Sequence, residues 1–114
     1  MKYMLCIYVD ESAQPAAAVD APHQMSPAFA AYVEALRESG ILVGGDRLKP
    51  TETATTLRVV DGEAQVLDGP YADTKEQLAG YLVIDVPDID SALSWAARCP
   101  GASRGTLEVR PIWE

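Results

Sequence analysis

Two segments of the chain are apolar at nearly every position, and they constrain the fold more than any other feature. Residues Lys2–Val9 and residues 78–86 both combine aromatic, branched and other apolar side chains on successive positions. A strand with one solvent-exposed face alternates apolar and polar residues, whereas a strand that is buried on both faces does not. We therefore expect both segments to be strands in the middle of a sheet.

A helix is predicted between these strands, beginning after Ser26 and ending at Gly40. Serine is a preferred N-cap, Pro27 suits the first helical position, and glycine suits the left-handed C-terminal cap. The apolar positions at helical spacing are Phe29, Tyr32, Val33 and Leu36. The preceding residues, 13–24, have no sustained periodicity, and we interpret them as a mobile loop with at most one helical turn.

The remaining elements follow from turn and capping residues. A strand begins at residues 41–43 and is interrupted at Gly44-Gly45, as by a bulge. Residues 53–60 and 63–67 flank Asp61-Gly62, which suits a two-residue hairpin turn. Asp88 can cap a second helix that ends at Pro100-Gly101, and residues 106–113 form the last strand.

With the hairpin set aside as an insertion, the order is strand, helix, strand, strand, helix, strand. This split βαβ order predicts a single α+β domain over residues 1–114, with a ferredoxin-like antiparallel sheet and both helices on one face. The second face would then expose Met4, Cys6 or their neighbours. Since large apolar patches are uncommon on monomers, we expect a homodimer packed sheet against sheet, in a dimeric α/β-barrel-like assembly.

Charge and composition exclude several classes of function. The net charge of −8 repels phosphate backbones and anionic lipid, so we expect no direct nucleic-acid or membrane binding. The apolar stretches are shorter than the ~20 residues of a membrane span, and the start lacks a signal-peptide pattern, so we expect a cytoplasmic protein. In that compartment Cys6 and Cys99 are expected as free thiols.

The sequence supports neither a metal nor a cofactor. No phosphate loop, HExxH, Gly-x-Ser-x-Gly or Cys-x-x-Cys motif occurs. The sole histidine, His23, lacks partners at ligand spacing and is expected at the surface. We expect Cys6 to be a core residue, and Cys99, at the negative end of a helix, not to be activated as a thiolate. Trp95 and Trp113 are expected to be core or interface anchors.

Residues 68–81, which read DGPYADTKEQLAGY, closely resemble the signature of the DGPF branch of the YCII-related family. That signature is Asp-Gly-Pro-Phe, Ala-Glu-Thr-Lys-Glu and Gln-Leu-Gly-Gly. Tyr71, Asp73 and Ala79 are this chain's departures from it. The opening residues 1–4, the Asp10-Glu11 pair, Gly44-Gly45 and residues 108–111 are also similar to the family, so the resemblance spans nearly the whole chain.

The resemblance implies a dimeric ferredoxin-like fold without a settled activity. Some members are encoded beside sigma factors or fused to them, so the resemblance implies a sigma factor as a candidate partner. Others in the wider group have been proposed as enzymes with a His and Asp pair. Here Phe29 and Cys99 stand at those positions, so the proposed catalysis is not carried over and the catalytic residues are unknown.

Asp68, Tyr71 and Lys75 are the candidate ligand-binding residues of the motif, with Lys75 holding an anion and Asp68 acting as acceptor or base. Tyr8 and Arg47 complete the candidate set. A structural explanation competes: Gly69 and Pro70 form a turn that Asp68 caps, and Thr74 with Gln77 caps the segment entering residue 78. Ion pairing is the alternative role for Arg47, as for Arg58 and Arg110.

Three functions remain compatible with the sequence. The favoured one is a small-molecule-binding or regulatory dimer, because the pattern gives a pocket-capable fold without a recognisable catalytic set. The second is an enzyme acting on a small organic substrate, with Asp68, Tyr71 and Lys75 in acid–base or orienting roles. The third is a protein-contact partner of a sigma factor.

Overall fold

The computed structural model describes residues 1–13 and 26–114, which form six strands and three α-helices. The strands are β1 (Lys2–Val9), β2 (Leu42–Arg47), β3 (Thr55–Val60), β4 (Glu63–Asp68), β5 (Gln77–Asp85) and β6 (Thr106–Pro111). The helices are α1 (Pro27–Glu38), α2 (Ile89–Ala97) and α3 (Gly101–Arg104), and short 3-10 turns cover Glu11–Ala13 and Thr51–Thr53. The predicted loop over 13–24 and His23 lie, apart from Ala13, outside the described residues.

Four strands form one antiparallel sheet in the order β2-β5-β1-β6, and β3 pairs with β4 in a separate two-stranded sheet. The two segments that are apolar on both faces therefore occupy the middle of the sheet, as predicted. The resulting α+β arrangement is consistent with a ferredoxin-like fold. The hairpin β3–β4 is an insertion between the second and third strands of that sheet.

One face of the sheet carries the hydrophobic core beneath α1 and α2. The alternation of β1 points Tyr3, Leu5 and Ile7 to this side, where Leu82 and Ile84 of β5 meet them. The helical and connecting residues that complete the buried cluster are Tyr32, Leu36, Val86, Ala92, Ala96 and Cys99. Fully burying a Leu or Ile side chain contributes about 1.5–3 kcal/mol, so this cluster determines which face the helices cover.

The helix ends follow the capping residues seen in the sequence. The Ser26 hydroxyl accepts the Phe29 amide at 3.2 Å, and the Asp88 carboxylate accepts the Ser91 amide at 2.8 Å. The backbone hydrogen bond from Ser91 lowers the pKa of Asp88. Gly40 follows α1 with φ of 74°, the left-handed conformation that glycine adopts without strain. The short α3, directly after Pro100, was not predicted.

The turn of the hairpin has the conformation expected from the dipeptide Asp61-Gly62. Asp61 and Gly62 have φ of 53° and 80°, the two positive values that a type I′ turn requires. At the base of the hairpin, the Gly69 amide donates to the Ala54 carbonyl and the Thr56 hydroxyl donates to the Gly69 carbonyl, both at 2.8 Å.

Glu11 ties the base of the hairpin to the end of β1. Its carboxylate accepts the Thr51 amide at 3.0 Å and the Thr51 hydroxyl at 2.7 Å. The side chain thereby supplies acceptors to the first residue of the 3-10 turn that leads into β3.

Both cysteines are free thiols, but Cys6 does not lie in the core. Because Leu5 and Ile7 face the helices, the intervening Cys6 points to the opposite face, where it is half-buried. Cys99 is 2 % exposed, and burial raises its pKa although the Gly101 and Ala102 amides favour the thiolate. Burial, not the helix end, is therefore the main cause of the raised pKa of Cys99.

Trp95 packs against the core, as predicted, and Trp113, which follows the last strand, is fully exposed in the single chain and is therefore not a core residue. One further expectation needs correction. Thr74 caps no helix, because residues 77 onwards are extended. Its hydroxyl donates to the Glu76 carbonyl at 2.6 Å, and the Gln77 side chain donates to the Thr74 carbonyl at 2.7 Å.

We expect the substitution Gly105→Ala to destabilise the protein by at least about 2 kcal/mol, because overpacking of this kind forces the backbone to shift. An added Cβ would lie 2.0 Å from the Tyr8 carbonyl oxygen. Gly44→Ala is the matched control, since nothing lies within 4 Å of its added Cβ, and it should change stability by no more than about 0.5 kcal/mol. Urea unfolding measures both, and equal stabilities would contradict the close approach.

Candidate functional site

The end of β1 and the starts of β5 and β6 meet at one edge of the sheet. Both neighbours run antiparallel to β1, so Tyr8 near its end pairs with Leu78 on one side and Thr106 on the other. A register shift between Ile7 and Tyr8 adds an irregularity to the ladder at this point. Bulges of this kind re-aim side chains and are frequent beside functional sites.

An open cleft of about 730 Å³ lies at this edge. The residues that line it are Tyr8, Asp10, Thr74, Lys75, Glu76, Arg104 and Thr106. They come from the end of β1, the segment before β5, the last residue of α3 and the first residue of β6. The cleft is broadly open to solvent and is not an enclosed cavity.

Hydrogen bonds fix the segment that carries Lys75. The Thr106 hydroxyl donates to the Glu76 carboxylate at 2.7 Å, which joins this segment to β6. Thr74 and Gln77 are bonded within the same segment, so Lys75 lies between anchored residues. The backbone of Lys75 is therefore held in place at the cleft that this residue lines.

The charges of the cleft are unevenly paired. Asp10 accepts the amide and hydroxyl of Ser12 at 3.0 and 2.6 Å, and Glu76 accepts the Thr106 hydroxyl. Neither Lys75 nor Arg104 belongs to any ion pair among residues 1–13 and 26–114. The cleft lining therefore carries two cations that are available to bind an anion.

The chemistry available at the cleft is recognition by cations and hydroxyl groups. Lysine and arginine bind carboxylates and phosphates, and the Tyr8 and Thr106 hydroxyls can donate or accept. Across the described part of the chain, no group of three or more His, Cys, Asp or Glu residues is arranged to hold a metal ion.

The structure brings two of the five predicted site residues together. Tyr8 and Lys75 both line the cleft, whereas Asp68, Tyr71 and Arg47 are not among its lining residues. Asp68 is exposed at the end of β4, and Tyr71 is 81 % exposed just beyond the hairpin. Arg47 ends β2, opposite Gly80.

The turn at residues 68–70 has a structural role of its own. Gly69 has φ of 103°, and its amide and carbonyl close the base of the hairpin. No hydrogen bond to the Asp68 carboxylate accompanies this turn within the described ranges. The glycine, not an Asx cap, holds the turn.

Phe29 and Cys99, the two positions compared above with the proposed His and Asp pair, both belong to the hydrophobic core region. Cys99 is buried, and Phe29 packs against the core with its ring 6.3 Å from that of Tyr32. Neither residue type at these positions supplies the acid–base pair.

Five lining residues were not predicted from the sequence, namely Asp10, Thr74, Glu76, Arg104 and Thr106. The predicted strand order could have identified them. If the first and third main strands are central neighbours and the last strand flanks the first, the end of β1 must meet the starts of β5 and β6. Residues adjoining those three strand ends would then have been the candidates.

The face of the sheet opposite the helices is a second surface of interest. Its central strip is apolar and half-buried, and it consists of Met4, Cys6, Ala79, Tyr81 and Val83. Charged residues border the strip on both edge strands, namely Asp46 on β2 and the ion pair of Arg110 with Glu108, 3.1 Å apart, on β6. The Tyr81 hydroxyl donates to Asp46 at 2.9 Å.

Comparison with known proteins gives a family match over residues 1–114, to the YCII-related domain. An uncharacterised protein of Rhizobium meliloti (strain 1021) is 40% identical over 114 residues, which cover 98% of this chain and 92% of that protein. The solved structure of 5-chloro-2-hydroxyhydroquinone dehydrochlorinase from Burkholderia phenoliruptrix AC1100, in complex with 2,5-dihydroxybenzoquinone, has a similar fold. Its TM-score is 0.54 at 17% identity, over 100% of this chain and 94% of that one.

Within the described residues, no helix combines the length and apolar character needed to cross a membrane.

We expect Asp46→Asn to lower the pKa of Tyr81 toward the ordinary tyrosine value of about 10. The hydrogen bond to Asp46 and its negative charge both raise the pKa of Tyr81, and the substitution removes the charge. NMR titration of the tyrosine ring carbons measures the change. Tyr32 is the internal control, because burial is the main cause of its raised pKa. An unchanged Tyr81 titration would contradict this account.

Proposed function

This chain is a member of the YCII-related family, and from that premise we propose that it is a small-molecule-binding protein whose cleft takes a small organic anion. The residues assigned to the anion are Lys75 and Arg104. Tyr8 and Thr106 are assigned to the hydroxyl or carbonyl groups of the same ligand.

The observation that carries the proposal is that two cations, Lys75 and Arg104, line the same cleft, and neither forms an ion pair with any residue in 1–13 or 26–114. Where both partners lie among the described residues, only Arg37 with Glu34 and Arg110 with Glu108 form ion pairs between side chains. What distinguishes Lys75 and Arg104 from the other basic residues is that both line one cleft, whose carboxylates are hydrogen-bonded to Ser12 and Thr106. An anionic ligand would supply the missing partner.

The remainder of the lining supports an organic ligand over a bare inorganic ion. Tyr8 is half-buried, so its ring offers an apolar wall at the end of the central strand. A volume of about 730 Å³ exceeds what a single small ion would fill. A carboxylate attached to an aromatic ring or a hydroxylated chain would match the ring, the hydroxyls and the cations together.

We further propose that the protein is a homodimer in which the apolar strip of the open sheet face packs against a second copy. An apolar centre bordered by charged residues is the usual anatomy of a protein interface. The apolar character of the strip matches that of the strand face under the helices. Pairing two copies would remove it from water.

Residues 68–81 are assigned to the DGPF branch as part of the same proposal. In this interpretation, residues 68–70 form the turn that closes the hairpin, and Lys75 provides the ligand contact. The motif thus combines a structural segment with a binding residue six positions beyond Gly69.

We expect Lys75→Gln and Arg104→Gln each to weaken binding of a small carboxylate by about tenfold, because each removes one charge-assisted hydrogen bond. The probes are benzoate, hydroxybenzoates and short hydroxy acids, first screened by thermal shift and then measured by calorimetry. Arg58→Gln is the matched control, since it removes the same charge from the exposed hairpin and should leave affinity unchanged.

Binding that survives both substitutions, or that falls equally in Arg58→Gln, would contradict the assignment of the cleft. Failure of every carboxylate to bind at millimolar concentration would contradict the ligand class. Conversion of a bound probe into product would show that the same cleft also performs catalysis.

A further inference from the structure

One face of the hairpin β3–β4 is apolar and exposed. Directly opposed residues of an antiparallel pair lie on the same side, so Leu57 with Val66 and Val59 with Ala64 form a continuous patch. Leu57 is 60% exposed, Val66 62% and Val59 66%. Three large branched side chains this exposed on one side of a ribbon mark a surface that is normally covered.

The patch has no cover within the described chain. The extensive contacts of β3 and β4 are with each other, and the hairpin is held to the rest of the molecule at its base. The Cα radius of gyration is 15.7 Å, against about 13 Å for a compact domain of this length, as expected if the hairpin stands away from the sheet. An isolated two-stranded hairpin is marginally stable at best in water.

The size of a stable dimer interface suggests that a second copy of the chain covers the apolar face of the hairpin. The open face of the four-stranded sheet presents about a dozen residues, whereas a standard interface uses about 20–30 residues from each partner. The sheet face alone therefore supplies only about half of the residues that a standard interface uses from each partner. The apolar side of the hairpin supplies a further surface of the same character.

The distribution of charge on the surface also favours a second copy at this position. Two copies that each carry a net charge of −8 repel one another, and they approach most easily where the surface bears no acidic group. The patch of Leu57, Val59, Ala64 and Val66 is uncharged, and Asp68 lies only at its base end. A partner selected by charge would instead need a charged patch at this position.

We propose that the hairpin is a dimerisation arm, whose face of Leu57, Val59, Ala64 and Val66 packs against a second copy of this chain. The arm extends the homodimer proposed above and rests on it. In a twofold dimer each contact occurs twice, so the two arms make equivalent contacts, one at each end of the interface.

Two double variants test the arm. Leu57→Thr/Val59→Thr removes one Leu and one Val from the apolar face, and Val60→Thr/Leu67→Thr removes the same pair from the opposite face. Threonine is β-branched and retains the strand preference, so both hairpins should still form. Sedimentation equilibrium over nanomolar to micromolar concentration measures the dimer dissociation constant, and far-UV circular dichroism verifies folding.

The arm predicts that the dimer of Leu57→Thr/Val59→Thr dissociates at least tenfold more readily than wild type, with Val60→Thr/Leu67→Thr within twofold of wild type. Equal dissociation constants for wild type and both variants would overturn the arm. Equal weakening in both variants would also overturn it, because the effect would then reflect hairpin stability.

A third variant, Val83→Lys, separates the arm from the sheet interface. If Val83→Lys weakens the dimer and the arm variant does not, the sheet dimer stands and the arm is wrong. A wild-type chain that sediments at its 12.3 kDa monomer mass throughout would overturn both. The carboxylate-binding variants Lys75→Gln and Arg104→Gln change residues outside the arm and outside the apolar strip, so they test the cleft separately from the arm.

Discussion

Burial of the central strands β1 and β5 beneath two helices is the interaction on which the rest of the structure depends. Leu5 of β1 and Ile84 of β5 are fully buried in the hydrophobic core, and they determine which side of each strand faces the helices. The same pairing brings the end of β1 against the starts of β5 and β6. The cleft and the open sheet face are therefore two consequences of one packing arrangement.

The open face and the cleft meet at Tyr8. Its position in the β1 alternation places it with Met4 and Cys6 on the side away from the helices, and its position at the strand end places it in the cleft. A second subunit over the open face would lie next to the ligand. Assembly and binding can therefore influence each other through this residue, because both depend on its surroundings.

Much of the fold could be predicted because the sequence features that specify it are local caps and turns, or strands whose two faces are both apolar. Ser26, Asp88 and the Asp61-Gly62 turn act through backbone geometry, which short sequence patterns record. The central strands were recognisable because both faces are apolar. That same property concealed the side on which Cys6 lies, since a strand without alternation gives no indication of which face meets the helices.

The cleft was only partly predictable, for a physical reason. Lys75 stood in a recognisable motif, but Arg104 belongs to a four-residue helix that is too short to show periodicity. It reaches the cleft because Gly105 lets the backbone approach Tyr8 closely. Such a contact depends on tertiary packing between distant segments, and no local pattern encodes it.

The central claim is that a second copy covers the open sheet face, and the reactivity of Cys6 tests it most directly. Its thiol is half-buried in the single chain and would be enclosed in the dimer, whereas Cys99 is buried in either case. Labelling with a maleimide, followed by mass spectrometry of the two peptides, gives both rates across protein concentrations. The account predicts that Cys6 labelling slows as concentration rises while Cys99 remains slow throughout. A Cys6 rate that is independent of concentration, and fast at the highest one, would contradict it.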